Sequence, residues 1–260
     1  MGRIIAVSNQ KGGVGKTTTT SALASALQKR GKRVLCVDMD PQGNLSFSMG
    51  AENEGVNTTY EVLKGECTAR SAVQVTPVCP VIPGNILLSG SELEFTGQGR
   101  EFLMCNALRP LRDSYDYILI DTPPALSILT VNAFTAADRL IIPMLSDIFS
   151  LQGITQLYET VSHVKTYCNP HLKFAGILLT RFMPRTTLAA EVRGTAEMIS
   201  SELEIPLFHT CIRNSVAVTE AQALQRSILE HAPRNIATKD YLALADELLH
   251  QEEGLQPHTA

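Results

Sequence analysis

The chain has 260 residues, of which 44% are hydrophobic and 18% charged, with a formal net charge of −4. That length gives one large domain or two small ones with a substantial core, and the acidic balance argues against a general polycationic nucleic-acid binder while leaving room for a local basic patch. No apolar run approaches the roughly 20 residues needed to span a bilayer, and the chain enters its first strand with no stretch that reads as a signal peptide.

Arg3 to Asn9 reads as a short buried strand and Thr19 to Arg30 as a helix. Between them lies Gln10-Lys11-Gly12-Gly13-Val14-Gly15-Lys16-Thr17-Thr18. Strand, glycine-rich loop and helix form the context of a phosphate-binding loop, where glycines let backbone N–H groups turn inward and the helix N-terminus adds partial positive charge. In such a loop Lys16 reaches the β- and γ-phosphates of a nucleotide and the Thr17 hydroxyl ligates Mg²⁺, with Gly12, Gly13, Val14, Gly15 and Thr18 completing the wall. The match to G-x-x-x-x-G-K-[ST] departs at its first glycine, where Gln10 stands, and adds a second lysine, Lys11, five residues before Lys16.

Lys11 to Thr17 resembles the deviant phosphate loop of the ParA/MinD superfamily of ATPases. The resemblance implies that Lys11 crosses a dimer interface to the partner's ATP. A cation supplied by a second subunit neutralises phosphate charge only when two loaded chains meet, as an arginine finger does elsewhere.

Gln28-Lys29-Arg30-Gly31 is a helix stop, cations in the last turn and then glycine. Lys29, Arg30, Lys32 and Arg33 read either as complement to the helix dipole or as a DNA patch. Val34 to Asp38 is a second buried strand, delivering Asp38-Met39-Asp40-Pro41-Gln42 to the edge where open parallel sheets bind ligands. This segment resembles the D-x-D-P-Q switch of ParA/Soj-type partition ATPases, which implies that Asp38 lies near the metal and that Asp40 positions or activates water.

Residues 45–100 are less readable. Thr58 to Lys64 reads as a short helix closed by Gly65, Cys79 to Pro83 and Asn85 to Leu88 as strand pieces, and Ser91 to Glu94 as a helix start. Phe102 to Arg112 reads as one amphipathic helix. Asp116 to Pro124 follows, an apolar strand ending in an acid, so that Asp121 stands beside phosphate-bound Mg²⁺.

Arg139 to Pro143 is a further strand, Ser150 to Tyr167 a helix, Phe174 to Thr180 a strand, Thr187 to Leu203 a helix and Leu207 to Cys211 the last strand. Strands alternating with helices predict an α/β fold, a doubly wound, mostly parallel sheet with helices on both faces, as in P-loop NTPases. One ATPase domain is expected over residues 1–251, with a flexible tail over 252–260. The six cysteines, Cys36, Cys67, Cys79, Cys105, Cys168 and Cys211, form no CxxC pair and match no zinc spacing, as expected for reduced thiols in the cytoplasm.

The resemblance runs from about Arg3 to about Leu249 and extends to later loops. It places the nucleotide base near Arg181, Arg213 and Asn214, which read equally well as ordinary strand-end polar residues. It implies a homodimer when ATP-bound, nonspecific double-stranded DNA as a ligand through Arg185, Arg213, Arg226, Arg234 and Lys239, nucleoid association, and a ParB/Spo0J-like protein that stimulates slow hydrolysis. Ala217 stands where some relatives carry a basic residue, and Glu191, Glu220 and Glu230 are interspersed. The alternative is therefore a positioning ATPase with a protein cargo, MinD-like in its ATP site. The last helix, Lys239 to Gln251, has Asp240, Asp246 and Glu247 on its polar face, where a membrane-surface helix would carry Lys and Arg, so no membrane partner is expected.

Overall fold

The computed structural model describes residues 1–145, 150–184 and 186–254. Strands β1 (Arg3–Val7), β2 (Val34–Asp38), β3 (Val81–Ile82), β4 (Tyr117–Asp121), β5 (Arg139–Leu145) and β6 (Lys173–Thr180) form one sheet in the order β3-β2-β4-β1-β5-β6, with every pairing parallel. Helices α1 (Lys16–Lys29), α2 (Asn44–Met49), α3 (Thr59–Lys64), α4 (Ser91–Glu94), α5 (Leu103–Leu108), α6 (Ile128–Ala136), α7 (Ser150–Tyr167), α8 (Thr187–Leu203), α9 (Val216–Ala223), α10 (Ile228–His231) and α11 (Ile236–Glu253) follow in chain order.

The strands are nearly continuous apolar runs because both faces are covered. Successive side chains point to opposite faces, and the core divides accordingly. Ile4, Ala6, Leu35, Val37, Ile118, Ile120, Leu140 and Ile142 join one cluster with Phe134 of α6, Leu157 of α7 and Val192 of α8. Ile5, Val7, Cys36, Leu119 and Ile141 join the other with Leu23 and Leu27 of α1 and Tyr241, Leu244 and Leu248 of α11. Arg30 at the end of α1 grips Asp246 of α11 with two bonds of 2.5 and 2.6 Å.

Four expectations are corrected. Asn85 to Leu88 is not a strand: the Asn85 side chain accepts from the Leu87 N–H at 3.1 Å and starts a 3₁₀ turn over Ile86–Gly90. The helix expected over Phe102 to Arg112 is confined to α5, with 3₁₀ turns on either side, since Pro110 brings a fixed φ and no N–H. Leu207 to Cys211 meets the sheet at one isolated bridge, Leu207 with Ile177, where the Phe208 N–H donates to Ile177 O at 3.0 Å. The N–H groups of His209 and Thr210 donate instead to the Glu247 carboxylate of α11, at 2.8 and 2.9 Å, which takes them out of any ladder. The last helix, expected over Lys239 to Gln251, runs over Ile236–Glu253, and residues 255–260 lie outside the described residues.

Candidate functional site

Because the sheet is parallel, the ends of β1, β2, β4 and β6 share one edge, the place where such folds hold ligands. Val7 pairs in register with Asp121, and Asp121 with Asp38, so the loop leaving β1 and two carboxylates start from one rung.

The loop of residues 10–15 turns on Gly13 (φ 73°) and Gly15 (φ 89°), left-handed conformations that a side chain resists. A Cβ at Gly12 or Gly13 would meet nothing within 4 Å, so the hollow beside them is open. The first bond of α1, Thr19 N–H to Gly15 O at 2.8 Å, aims the helix N-terminus into that hollow. Thr180, at the end of β6, donates its hydroxyl between Val14 O (2.8 Å) and Met144 O (3.1 Å) and ties the loop to the sheet.

Lys16 is 7% exposed, and its Nζ donates to Lys11 O at 3.1 Å. Burial lowers its pKa, and the Asp121 and Asp40 carboxylates pull it back up. Thr17 Oγ1 donates to Asp121 Oδ2 at 2.6 Å, while Asp121 Oδ1 is buried with no hydrogen-bond partner. Burial, with the Asp38 charge second, raises the Asp121 pKa well above the usual carboxylate range, against the Thr17 bond. An orphaned carboxylate oxygen beside a hydroxyl suits a hard cation. Among the described residues no three His, Cys, Asp or Glu form a metal cage of their own. Mg²⁺ takes one or two protein groups and completes its shell with phosphate and water oxygens, and Thr17 Oγ1 with Asp121 would supply the protein groups.

Asp38 is fully buried and spends its oxygens on the neighbouring chain. Oδ1 accepts from Asp40 N at 3.1 Å, and Oδ2 from Ser46 N and Oγ at 2.8 and 2.7 Å. Burial outweighs these bonds and lifts its pKa to about 6. Asp40, 7% exposed, accepts from Gln42 N at 3.0 Å across Pro41, a turn that holds the segment in shape. Gly84 backs this turn: a Cβ there would lie 2.7 Å from Asp38 O and 3.1 Å from Asp40 O.

A groove of about 500 Å³ joins Gly12, Gly13, Lys16, Thr17 and Asp40. A second cavity of about 370 Å³, lined by Thr180, Arg213, Asn214 and Tyr241 among others, shares Gly15, Thr18, Arg181, Thr219 and Gln222 with the groove. Together they run from the glycine-rich loop to the loops after β6. Arg181 stands between the two in a left-handed conformation (φ 49°). Thr18 Oγ1 reaches Gln222 Oε1 of α9 at 3.3 Å.

Of the basic residues considered for DNA, Arg226, Arg234 and Lys239 are exposed. Arg213 forms a forked ion pair with the buried Asp240 carboxylate, its Nε 2.9 Å from Oδ2, so its charge is neutralised at home. Arg185 lies outside the described residues. The sequence had not pointed to Ser46, Gly84 or Gln222. Ser46 and Gly84 fall in the region without clear periodicity, and no local motif ties either to Asp38.

Residues 2–174 match a family described as an AAA domain. The chain is 38% identical to the chromosome partitioning protein ParA of Myxococcus xanthus, covering 99% of this chain and 91% of that one. It is 39% identical to the sporulation initiation inhibitor protein Soj of Bacillus subtilis, covering 95% and 98%. Among solved structures, a cobyrinic acid a,c-diamide synthase of Mycobacterium smegmatis with bound ADP and magnesium superposes with a TM-score of 0.85 at 34% identity, covering 98% of this chain and 97% of that one. The cell division ATPase MinD of Pyrococcus furiosus does so with a TM-score of 0.78 at 26% identity, covering 96% and 100%. With its phosphate loop, its two strand-end carboxylates and relatives matched along nearly their whole length, the chain belongs to the ParA/Soj-type partition ATPases of the ParA/MinD superfamily.

Proposed function

We propose that residues 1–251 act as one ATPase unit, an ATP-operated dimer switch for moving chromosomes, plasmids or other mobile DNA. The observation that supports it most is the Thr17–Asp121 bond with its orphaned second oxygen, set beside Lys16 and Asp40 in one groove. ATP would lie with its phosphates against Gly12 to Thr18 and its base toward Arg181, Arg213 and Asn214. Thr17 and Asp121 would hold Mg²⁺, with Asp38 bracing the segment beside them. The ion would spread the charge of the β- and γ-phosphates. Lys16 stabilises charge on the transferred group, and Asp40 orients the attacking water. Lys11 reaches the phosphates of the second copy, so two loaded chains close face to face.

The loaded dimer would hold nonspecific DNA through summed basic patches, on the nucleoid within the cytoplasm. A ParB/Spo0J-like partner would accelerate an intrinsically slow hydrolysis. No helix among the described residues is long and apolar enough to cross a membrane. The test is an Asp40→Ala chain in saturating ATP and Mg²⁺, its mass read by light scattering behind gel filtration. A dimer is expected there and a monomer with ADP; a monomer in both would overturn the proposal. The internal neutralisation of Arg213 by Asp240 favours a second reading, positioning of a protein cargo, and loss of all DNA co-sedimentation at low salt would select it.

A further inference from the structure

The ladder between β1 and β5 ends in an unusual way. Ser8 N–H donates to Ile141 O at 3.1 Å, the last backbone bond in the series. In a parallel ladder the next donor in line for Pro143 O would be the Gln10 N–H. Instead, the Asn9 side chain takes that acceptor, Nδ2 donating to Pro143 O at 2.7 Å. The same carboxamide turns its oxygen the other way and accepts from Lys11 N at 2.9 Å. Asn9 is 2% exposed, and both ends of its amide are used. Lys11 is thus gripped on both sides of its own Cα, its N–H by Asn9 and its carbonyl by Lys16 Nζ at 3.1 Å.

We infer that Asn9 is the positioning residue for Lys11, setting where that lysine leaves the sheet and therefore where its ammonium lies relative to a second copy. The inference rests on the proposed action of Lys11 across a dimer interface. A carboxamide suits the task because it offers a donor to Pro143 O and an acceptor to Lys11 N in one rigid plane. An Asp would set a carboxylate oxygen against the Pro143 carbonyl, and an Ala would leave Pro143 O and the Lys11 N–H without these partners. Lys16 and Thr17 sit on α1, held by Thr180 through Val14 and by Asp121, contacts that do not pass through Asn9. Apart from the Lys16 Nζ–Lys11 O bond, the phosphate grip within one chain and the reach toward the other therefore rest on different contacts.

The experiment uses the full chain carrying Asp40→Ala, with Asn9→Ala, Lys11→Ala, or both added. ATP-dependent dimerisation is measured by sedimentation and ADP affinity by calorimetry. Asn9→Ala is expected to weaken dimerisation about tenfold or more while ADP affinity stays within about threefold. The double variant is expected to dimerise no worse than Lys11→Ala alone, the non-additivity of two residues acting through one contact. Asn9→Ala that dimerises like its parent while Lys11→Ala does not would overturn the assignment alone. An equal loss of ADP affinity and dimerisation would also overturn it, marking Asn9 as general support for the loop. Lys11→Ala that dimerises like its parent would remove the lysine's role across the interface, and this assignment with it.

Discussion

Asp38 illustrates how a single side chain shapes the site without touching its open face. Its carboxylate accepts three hydrogen bonds, yet burial still lifts its pKa to about 6. The sign follows from that direction. A carboxyl whose folded pKa exceeds its unfolded value of 3.8 favours the folded state below about pH 4, and the contribution fades as pH rises through about 6. Above that point the ionised group depends on its donors. Ser46→Ala removes the 2.7 Å Oγ donor and should cost ~1–3 kcal/mol at pH 7.5, where the acceptor is charged. The cost should be smaller at pH 5, where Asp38 is largely protonated. Urea unfolding of nucleotide-free protein at the two pH values checks this; an equal or larger loss at pH 5 would contradict it. Asp38, Asp40 and Asp121 were legible in the sequence because each lies at or just past the end of an apolar run. Ser46 was not, because it meets Asp38 only after α2 folds back eight residues later, and a polar residue in a short helix gives no local sign of its partner.

At the level of elements, the site is a meeting of four strand ends, and the strands were the most readable part of the chain. Their double burial writes unbroken apolar runs, and β2, α7 and α8 lie where the sequence places them. Of the short pieces between Asn44 and Leu111, α3 and α4 were legible from their end signals, but α2 and the 3₁₀ turns were not, since such short stretches show too little of a 3.6-residue period. One of those stretches nevertheless backs the Asp38–Asp40 turn: at Gly84, just after β3, an added Cβ would crowd the carbonyls of Asp38 and Asp40. Gly84→Ala must push this turn forward, while the phosphate loop, built from β1 and α1, is left in place. Steady-state ATP hydrolysis should fall about tenfold with nucleotide affinity changed less than about threefold, the pattern of a lost transition-state interaction. A parallel loss of binding and turnover would show that Gly84 supports the whole edge of the sheet instead. The segment of residues 207–211 is the instructive miss. Its composition is that of a strand, but Glu247, 36 residues further on in α11, captures two of the N–H groups a strand would use.

For the whole molecule, the proposed loaded state is a pair, and every exposed cation then counts twice. A chain with net charge −4 holds DNA only where its basic residues are grouped. Salt dependence separates the groups: each phosphate contact adds about 0.9 to the slope of log affinity against log salt. In the Asp40→Ala background with ATP, replacing Arg226, Arg234 or Lys239 by Ala should each lower that slope by about 2 per dimer. Arg213→Ala should leave the slope unchanged, and should instead lower the melting temperature, because it strands the Asp240 carboxylate in a buried position. A slope insensitive to all three exposed cations would remove these residues from DNA binding.

The tether between Tyr117 and Glu252, at 2.5 Å, fixes the close of α11 beneath the start of β4, whereas Asp121 sits at that strand's other tip, four residues or about 13 Å away. The exposed His250 therefore lies at the pole opposite the nucleotide. A fluorophore attached there through His250→Cys would ride on α11 and report on the proposed switch without standing in its doorway.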